Sequence, residues 1–302
     1  MKLSLGPLHY YWSRLAVLQF YEQACEWPVD IVYLGENVCS RRHAMRFNDW
    51  LEVAAMLSAA GKEVVLSTQT LLESNKDMKV LEQVCANPDY MVEANDMGAV
   101  HSLQGKRFVA GPYLNVYSPP SLQCMHELGA CRWVMPLEMG AAQLQSLLAH
   151  APAALATEIF AYGRMPLAFS ARCFSARYRN LPKDNCQYVC QEYPDGLVLH
   201  TREGESFLTI NGIQTQSAKV HSLMLELPEL QALGVQVIRL SPQSQHMGQV
   251  VSLYHAVSMG QITAQQAYPQ LVAFMPDKSC NGYWHARAGL AQINDTGGQI
   301  HG

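Results

Sequence analysis

Short β-rich runs alternate with amphipathic helical segments along nearly the whole chain. This alternation restricts the possible folds more than any other feature of the sequence. The helical segments place apolar residues at i, i+3 and i+4, whereas the strand runs are short and mostly apolar. Gly61 and Gly129 each follow a helical segment and are typical of helix C-termini that lead into a strand. Strands are predicted at Lys2–Leu5, Ile31–Leu34, Val64–Ser67, Tyr90–Glu93, Phe108–Gly111, Trp133–Met135, Ala156–Phe160 and Val235–Leu240. Helices are predicted at Leu15–Ala24, Arg46–Ala60, Met78–Cys85, Ser121–Leu128 and Ala142–Ala149.

Eight strand–helix units at this spacing predict a (β/α)₈ TIM-like barrel. A chain of 302 residues is long enough for one such barrel, and equally for two smaller domains. Charged residues make up only 15% of the chain, which favours a large core with strands enclosed on both faces. The main alternative is a doubly wound open sheet, but no Gly-x-Gly-x-x-Gly motif follows the first strand. We therefore expect an α/β barrel.

The regular alternation breaks after the seventh strand, in a stretch rich in Tyr, Arg, Asn, Pro and Gly. We interpret residues 171–215 as an irregular insertion between the seventh and eighth units, with hairpins expected near Tyr193–Gly196 and at Asn211-Gly212. Residues 291–302 are small and polar and are expected to form a mobile tail. The domain prediction is thus a single barrel over residues 1–290 that contains the insertion.

Charge and hydropathy patterning narrow the expected location and partners. The formal net charge of −4 gives no reason to expect a nucleic-acid partner. The N-terminus lacks the apolar region and cleavage site of a signal peptide, and no run reaches the roughly 18 apolar residues of a membrane span. We expect a cytoplasmic protein without a transmembrane segment. In a reducing compartment, nine cysteines are better explained as core residues or metal ligands than as disulfides.

Three of the nine cysteines fall inside the insertion, where no helical or strand pattern requires them as core residues. Cys186 and Cys190 form a Cys-x₃-Cys pair, and Cys173 precedes them. Thiolates are soft ligands, so such a group suits an iron–sulfur cluster or zinc. The spacing differs from the Cys-x₂-Cys of zinc ribbons, which weighs against zinc, and also from the bacterial ferredoxin run. Spacing alone leaves scattered buried thiols as an equal alternative.

A fourth ligand would have to come from outside the insertion. Cys39 follows the second predicted strand in LGENVCSRRH, at the C-terminal mouth of the barrel. Active sites of this fold lie at that face. An insertion after the seventh strand emerges at the same mouth, so the two regions can meet in space. Cys280 is interpreted as a buried structural residue rather than a ligand. The cysteines interpreted as small core hydrophobes are Cys25, Cys85, Cys124 and Cys131.

The segments LGENVCSRRH, EIFAYGRMPLAFSARC and NGYWHA, with the later Cys-x₃-Cys pair, resemble the peptidase U32 family, and the resemblance spans essentially the whole chain. It implies a [4Fe–4S] cluster as cofactor. The cysteines that match the family's four ligands are Cys39, Cys173, Cys186 and Cys190.

The chain departs from the peptidase signature of that family. Glu158, Phe160 and Gly163 match the opening of the signature, but Arg164-Met165-Pro166 stands where the signature continues toward cysteine. The chain also lacks the Gly-x-Ser-x-Gly and His-Glu-x-x-His motifs of common hydrolases. We therefore do not expect peptidase activity, despite the family name.

The resemblance implies instead a subunit for oxygen-independent ring hydroxylation of ubiquinone precursors. The implied partner is a homologous, UbiU-like subunit of the same family that forms a heterodimer, and the implied oxygen donor is prephenate. Two alternatives stay open: an accessory iron–sulfur protein for RNA hydroxylation, and a non-catalytic iron–sulfur scaffold that stabilises a catalytic partner. A salt-dependent RNA affinity would distinguish the first of these. No catalytic residue is assigned from the sequence.

Several polar residues at or beyond the predicted strand ends are candidates for substrate contacts at the barrel mouth. Each could equally belong to a hydrogen-bond network that closes the top of the barrel. These residues are Glu36, Asn37, Glu93, Asn95, Glu138 and Glu158. Basic side chains follow Cys39 and flank Cys173, where they could bind a carboxylate, tune the cluster, cap a helix or remain solvated. They are Arg41, Arg42, His43, Arg172, Arg177 and Arg179.

Overall fold

Eight parallel strands close into a barrel with helices between successive strands, so the predicted TIM-like α/β barrel is confirmed. The computed structural model describes residues 1–294. The barrel closes through the last of its eight strands, because Val237–Leu240 pairs in parallel with both the first and the seventh. The first seven strands are β1 (Lys2–Leu5), β2 (Ile31–Leu34), β3 (Glu63–Ser67), β4 (Met91–Ala94), β5 (Phe108–Ala110), β6 (Ala130–Val134) and β7 (Ala156–Phe169).

The helices form the outer layer of the barrel, and their starts follow local capping chemistry. Ser13, Ser74, Ser118 and Thr263 each precede a helix, and each side chain accepts a hydrogen bond from a backbone N–H of the first turn. The helices are α1 (Arg14–Ala24), α2 (Phe47–Ala59), α3 (Asn75–Ala86), α4 (Met97–Ser102), α5 (Pro119–Glu127), α6 (Ala141–Leu148), α7 (Phe174–Tyr178), α8 (Leu227–Ala232), α9 (Met247–Ser258) and α10 (Ala264–Phe274). The cap at Ser74 explains why α3 begins three residues before the predicted start.

Strand residues alternate between the barrel interior and the helix layer, as the two-residue period of a strand requires. Tyr33 and Val109 point into the interior, where they join a small apolar group. Leu34 and Trp133 belong to the large apolar core between the strands and the helices. Burial on both faces explains why these strands read as continuous apolar runs in the sequence.

The barrel interior also holds a buried charged network centred on Glu158 of β7. Its carboxylate accepts hydrogen bonds from Ser4 Oγ and Arg239 Nε, each at 2.7 Å, and from the Tyr33 hydroxyl. Arg239 Nη1 also pairs with Glu93 Oε1 at 2.7 Å. The network therefore joins β1, β2, β4, β7 and the closing strand, and coulombic attraction to Arg239 holds the pKa of Glu158 below its usual range against the effect of burial.

The insertion is built on an extension of β7 beyond its predicted end. Residues after Gly163 pair antiparallel with a strand near the end of the insertion, which lengthens β7 to Phe169. The hairpin expected at Asn211-Gly212 is present, whereas Tyr193–Gly196 forms a turn that leads into a strand rather than a hairpin. The remaining strands are β8 (Leu197–His200), β9 (Ser206–Asn211), β10 (Gln214–Ser222), β11 (Val237–Leu240) and β12 (Ser279–Cys280).

The last described residues pack against the barrel. Ile293 N–H donates to Asn281 Oδ1 at 2.7 Å, and Asn281 N–H donates to the carbonyl of Ala291 at 3.0 Å. The remainder of the predicted 291–302 tail, residues 295–302, lies outside the described residues. Within residues 1–294, no helix combines the length and the apolar character needed to cross a bilayer.

Removing the charge at the centre of the interior network is expected to destabilise the barrel. Glu158→Gln keeps the shape of the side chain but leaves Arg239 and Arg132 short of a compensating charge. The expected loss in the free energy of unfolding is about 3–5 kcal/mol, measured by urea denaturation. Glu205→Gln breaks an exposed pair with Lys278 and is expected to leave the free energy nearly unchanged. Equal effects of the two variants would contradict the role of the network.

Buried His221 on β10 is expected to make the fold sensitive to mild acid. Burial lowers its pKa to about 4 in the folded state, so the unfolded chain takes up a proton below about pH 6.5 while the folded chain does not. Stability should fall as the pH drops from about 6.5 to 4, and His221→Phe should remove about 3 kcal/mol of that loss. Thermal unfolding across this pH range measures the pH dependence of stability in the wild type and the variant. The exposed His150→Phe should keep the wild-type slope, and an unchanged slope in His221→Phe would refute the assignment.

Candidate metal centre at the barrel mouth

The four cysteines predicted as cluster ligands lie on loops and turns rather than in the core. Cys39 is buried in the loop between β2 and α2. Cys173 is the N-cap residue of α7, and Cys186 and Cys190 lie in or at the end of 3₁₀ turns of the insertion. All four thiols are free, and the three in the insertion are half-buried. Their backbone is therefore not committed to the sheet, which leaves the thiols free to bind a ligand.

The insertion folds back over the loops that follow the first barrel strands. Trp12 Nε1 donates to the carbonyl of Pro194 at 2.7 Å, and Arg41 forms an ion pair with Asp184. These contacts anchor the cysteine-bearing segment at the same mouth as Cys39. Further contacts are the ion pair Lys183–Glu73 and the ring contact between Tyr11 and Tyr188, with centroids 5.6 Å apart.

The structure brings three of the four thiols to one place. Cys39 packs with Val38 and Ile213, and Cys173 packs against this apolar group. Cys190 lies close enough to Cys173 for the two thiols to influence each other electrostatically. Cys186 is half-buried and precedes Cys190 by four residues in the same irregular segment. Across residues 1–294, no group of three or more His, Cys, Asp or Glu side chains is arranged to hold a metal ion.

A buried arginine faces these thiols. Arg42 donates from Nη1 to the carbonyl of His9 at 2.6 Å and from Nη2 to Asn211 Oδ1 at 2.7 Å. Its guanidinium also lies close to the Cys190 thiol and 3.5 Å from a Glu36 carboxylate oxygen. Arg42 thus connects the first two barrel loops, the β9–β10 hairpin and a cysteine. Its positive charge lies close to the Cys39 and Cys190 thiols. A cluster bound there would add negative charge, which Arg42 would offset.

Burial favours the protonated form of two of these thiols, Cys39 and Cys190. It raises the pKa of Cys39 to about 11 and raises the pKa of Cys190, while Arg42 opposes both shifts. Burial likewise raises the pKa of Glu36, whose carboxylate accepts hydrogen bonds from the backbone N–H groups of Val38 and Cys39 at 3.0 Å each. Metal binding requires thiolates, so loading this site would release protons.

The thiols fit an iron–sulfur group in donor chemistry, and they lie in the same part of the barrel mouth. Cysteine thiolates are the usual ligands of such clusters, and three of the four converge beside a buried guanidinium. Two of the other basic candidates form ion pairs with acidic residues of the insertion: Arg41 pairs with Asp184, and Arg179 pairs with Glu192. None of residues 41–43 caps α2, because Arg46 is its N-cap residue.

The other five cysteines agree with the core interpretation except at one position. Cys85 and Cys280 are buried, and Cys25 packs against the main core. Cys131 is half-buried and donates to the carbonyl of Phe108 at 3.4 Å. Cys124 was expected in the core but is exposed on α5, because the buried face of that short helix is formed by Leu122 and Met125.

Most polar candidates at the strand ends belong to structural networks. Glu93 and Glu158 pair with Arg239, and Asn95 Nδ2 donates to the carbonyl of Thr68 at 3.0 Å. Asn37 is different, because its amide is fully buried and has no hydrogen-bond partner. Arg132 and Arg239 are not among the polar residues predicted from the sequence to lie at the barrel mouth. Each is a lone arginine at an inward position of an apolar strand, and that is the signal that could have identified them.

Comparison with known proteins places the chain in a family. A family model described as Peptidase family U32 matches residues 18–287. Among solved structures, the U32 peptidase Mk0906 aligns with a TM-score of 0.45 and 11% identity over 80% of this chain and 93% of its own. The spore cortex-lytic enzyme SleL of Bacillus megaterium aligns with a TM-score of 0.41 and 10% identity over 84% of this chain and 73% of its own. The family match covers most of the barrel and the insertion, so this chain belongs to peptidase family U32.

Proposed function

We propose that this chain is an iron–sulfur subunit of the UbiV type, required for oxygen-independent ring hydroxylation of ubiquinone precursors. The observation that carries the proposal is the convergence of Cys39, Cys173 and Cys190 beside buried Arg42 at the mouth of a U32-family barrel. Cys186 precedes Cys190 by four residues in the same irregular segment, so a small movement of that segment would complete a four-cysteine set.

In this proposal Cys39, Cys173, Cys186 and Cys190 hold a [4Fe–4S] cluster. Such a cluster supplies one-electron transfer, or Lewis acidity where one iron position is open. The residues around it have definable tasks. Arg42 lies close to the Cys190 sulfur and offsets negative charge. The apolar group of Val38, Ile213 and Phe169 excludes water from the Cys39 side.

The proposed partner is a homologous, UbiU-like subunit, and the proposed oxygen donor is prephenate. Four large aromatic side chains of the insertion are exposed, and exposed apolar side chains mark interaction sites where they form a patch. They are Phe174, Tyr178, Tyr188 and Phe207. Their position beside the cysteines would place the partner next to the cluster.

Iron and acid-labile sulfide content after anaerobic purification tests the cofactor. We expect about four irons and four sulfides per chain in the wild type. The four variants Cys39→Ala, Cys173→Ala, Cys186→Ala and Cys190→Ala should each lose the cluster and its absorption and EPR signals. Cys124→Ala and Cys25→Ala are matched controls that should retain it. Bound zinc, or no metal after anaerobic reconstitution, would contradict the proposal.

An anaerobic activity assay tests the reaction separately. The chain co-purified with its U32-family homologue should convert a ubiquinone precursor to the ring-hydroxylated product with prephenate present and oxygen absent. The Cys39→Ala complex should lose this conversion, because its cluster is incomplete, while the Cys124→Ala complex should retain it. Product is measured by mass spectrometry. A salt-dependent RNA affinity with no ring product would favour the RNA-modification alternative, and unchanged conversion by Cys39→Ala would favour a structural scaffold.

A further inference from the structure

A cavity of about 120 Å³ lies inside the barrel mouth, on the interior side of the strand ends. Residues that follow β1, β2, β5 and β6 line it together with residues of β7 and the end of β11. Its apolar walls include the rings of Tyr113, Phe160 and Phe169. Arg239, whose guanidinium also covers the Tyr33 ring at 4.0 Å, contributes to its floor.

Three buried side chains that line this cavity have polar atoms without a hydrogen-bond partner. Asn37 is 0% exposed, and neither its amide nitrogen nor its amide oxygen is paired. Arg239 and His9 are each 4% exposed, and Arg239 Nη2 and His9 Nδ1 are unpaired. An unpaired buried polar group costs about 1–3 kcal/mol. Three such side chains lining one cavity indicate a polar occupant.

The charges around the cavity favour a neutral occupant. Arg239 is already balanced by the carboxylates of Glu93 and Glu158. His9 is uncharged at neutral pH, because burial lowers its pKa to about 3. Glu138, a further carboxylate, also lines the cavity. An additional anion would therefore lie near the Glu138 carboxylate and find no uncompensated cation, whereas a hydroxyl or carbonyl oxygen needs only the free N–H groups.

The volume and the walls favour a single ring. An apolar protein cavity of about 150 Å³ is known to hold benzene, so a volume of about 120 Å³ limits the occupant to about one six-membered ring. Aromatic side chains provide edge and face contacts to such a ring. The polar atoms of Asn37 and Arg239 would then meet oxygen substituents of that ring.

We propose that this cavity is a binding site for a neutral, single-ring molecule that carries a hydroxyl or carbonyl oxygen, with Asn37 and Arg239 Nη2 as the hydrogen-bonding groups. The site is formed by the barrel mouth itself and stands whether or not the cysteines hold a cluster. Phenol is the simplest molecule of this class, toluene lacks the oxygen, and benzoate carries the disfavoured charge.

Ligand-observed NMR titrations of the full chain with these three probes test the proposal. Phenol should bind more tightly than toluene or benzoate. Asn37→Leu should weaken phenol binding about tenfold or more, because the oxygen loses its partner, and should leave toluene binding unchanged or tighter. Leu137→Trp, which fills the cavity without altering the polar atoms, should abolish binding of both. Leu15→Trp, on the exposed side of α1, is the matched control and should bind like the wild type.

Several outcomes would overturn the proposal. Benzoate binding more tightly than phenol would refute the charge argument. Phenol binding unaffected by both Asn37→Leu and Leu137→Trp would place the probe elsewhere. Circular dichroism checks that the wild type is folded. If the folded wild type shows no detectable phenol binding, water alone satisfies the unpaired groups of Asn37, Arg239 and His9. Iron content measured on the same samples separates this result from the cluster proposal, because phenol binding by iron-free protein supports the site while contradicting the cofactor.

Discussion

The pairing of Glu158 with Arg239 inside the barrel is the interaction on which the rest of the structure depends. A carboxylate buried this completely requires charge compensation and several hydrogen bonds. Glu158 obtains them from β1, β2 and β11, so its carboxylate spans the seam at which the barrel closes. Arg132 lies close to the same carboxylate and is anchored to Glu63 at 2.6 Å. Closure of the barrel and neutralisation of these charges are therefore coupled.

The same network shapes the barrel mouth. Arg239 uses Nε and Nη1 on two carboxylates, which leaves Nη2 available to the cavity above. A residue that closes the fold thus also forms part of the floor of a binding site. Arg42 has a comparable double role nearby, because it connects the β9–β10 hairpin to the first barrel loop and contacts Cys190. Buried arginines suit both tasks, since one guanidinium can donate several hydrogen bonds in fixed directions.

The predicted elements agree with the structure where local patterns decide them. The bounds of β1 and β2 match the prediction, and the five predicted helices are present within a few residues at each end. The prediction differed where distant segments decide the structure. β7 is nine residues longer than expected, because its second half is held by antiparallel pairing with β10, about fifty residues later in the chain. Cys124 is exposed because other residues of its short helix face the core.

The sequence by itself determined the barrel class, because the alternation of short apolar strands with amphipathic helices is a local property. It also located Cys39, Cys173, Cys186 and Cys190 on irregular segments, since no periodic pattern included them. Only the tertiary structure decided which side chains meet. The Glu158 network and the approach of Arg42 to Cys190 join residues from different barrel units, and the packing of several units leaves the Asn37 amide buried without a partner. Such contacts depend on strand register and closure, which bring together positions with no relation along the chain.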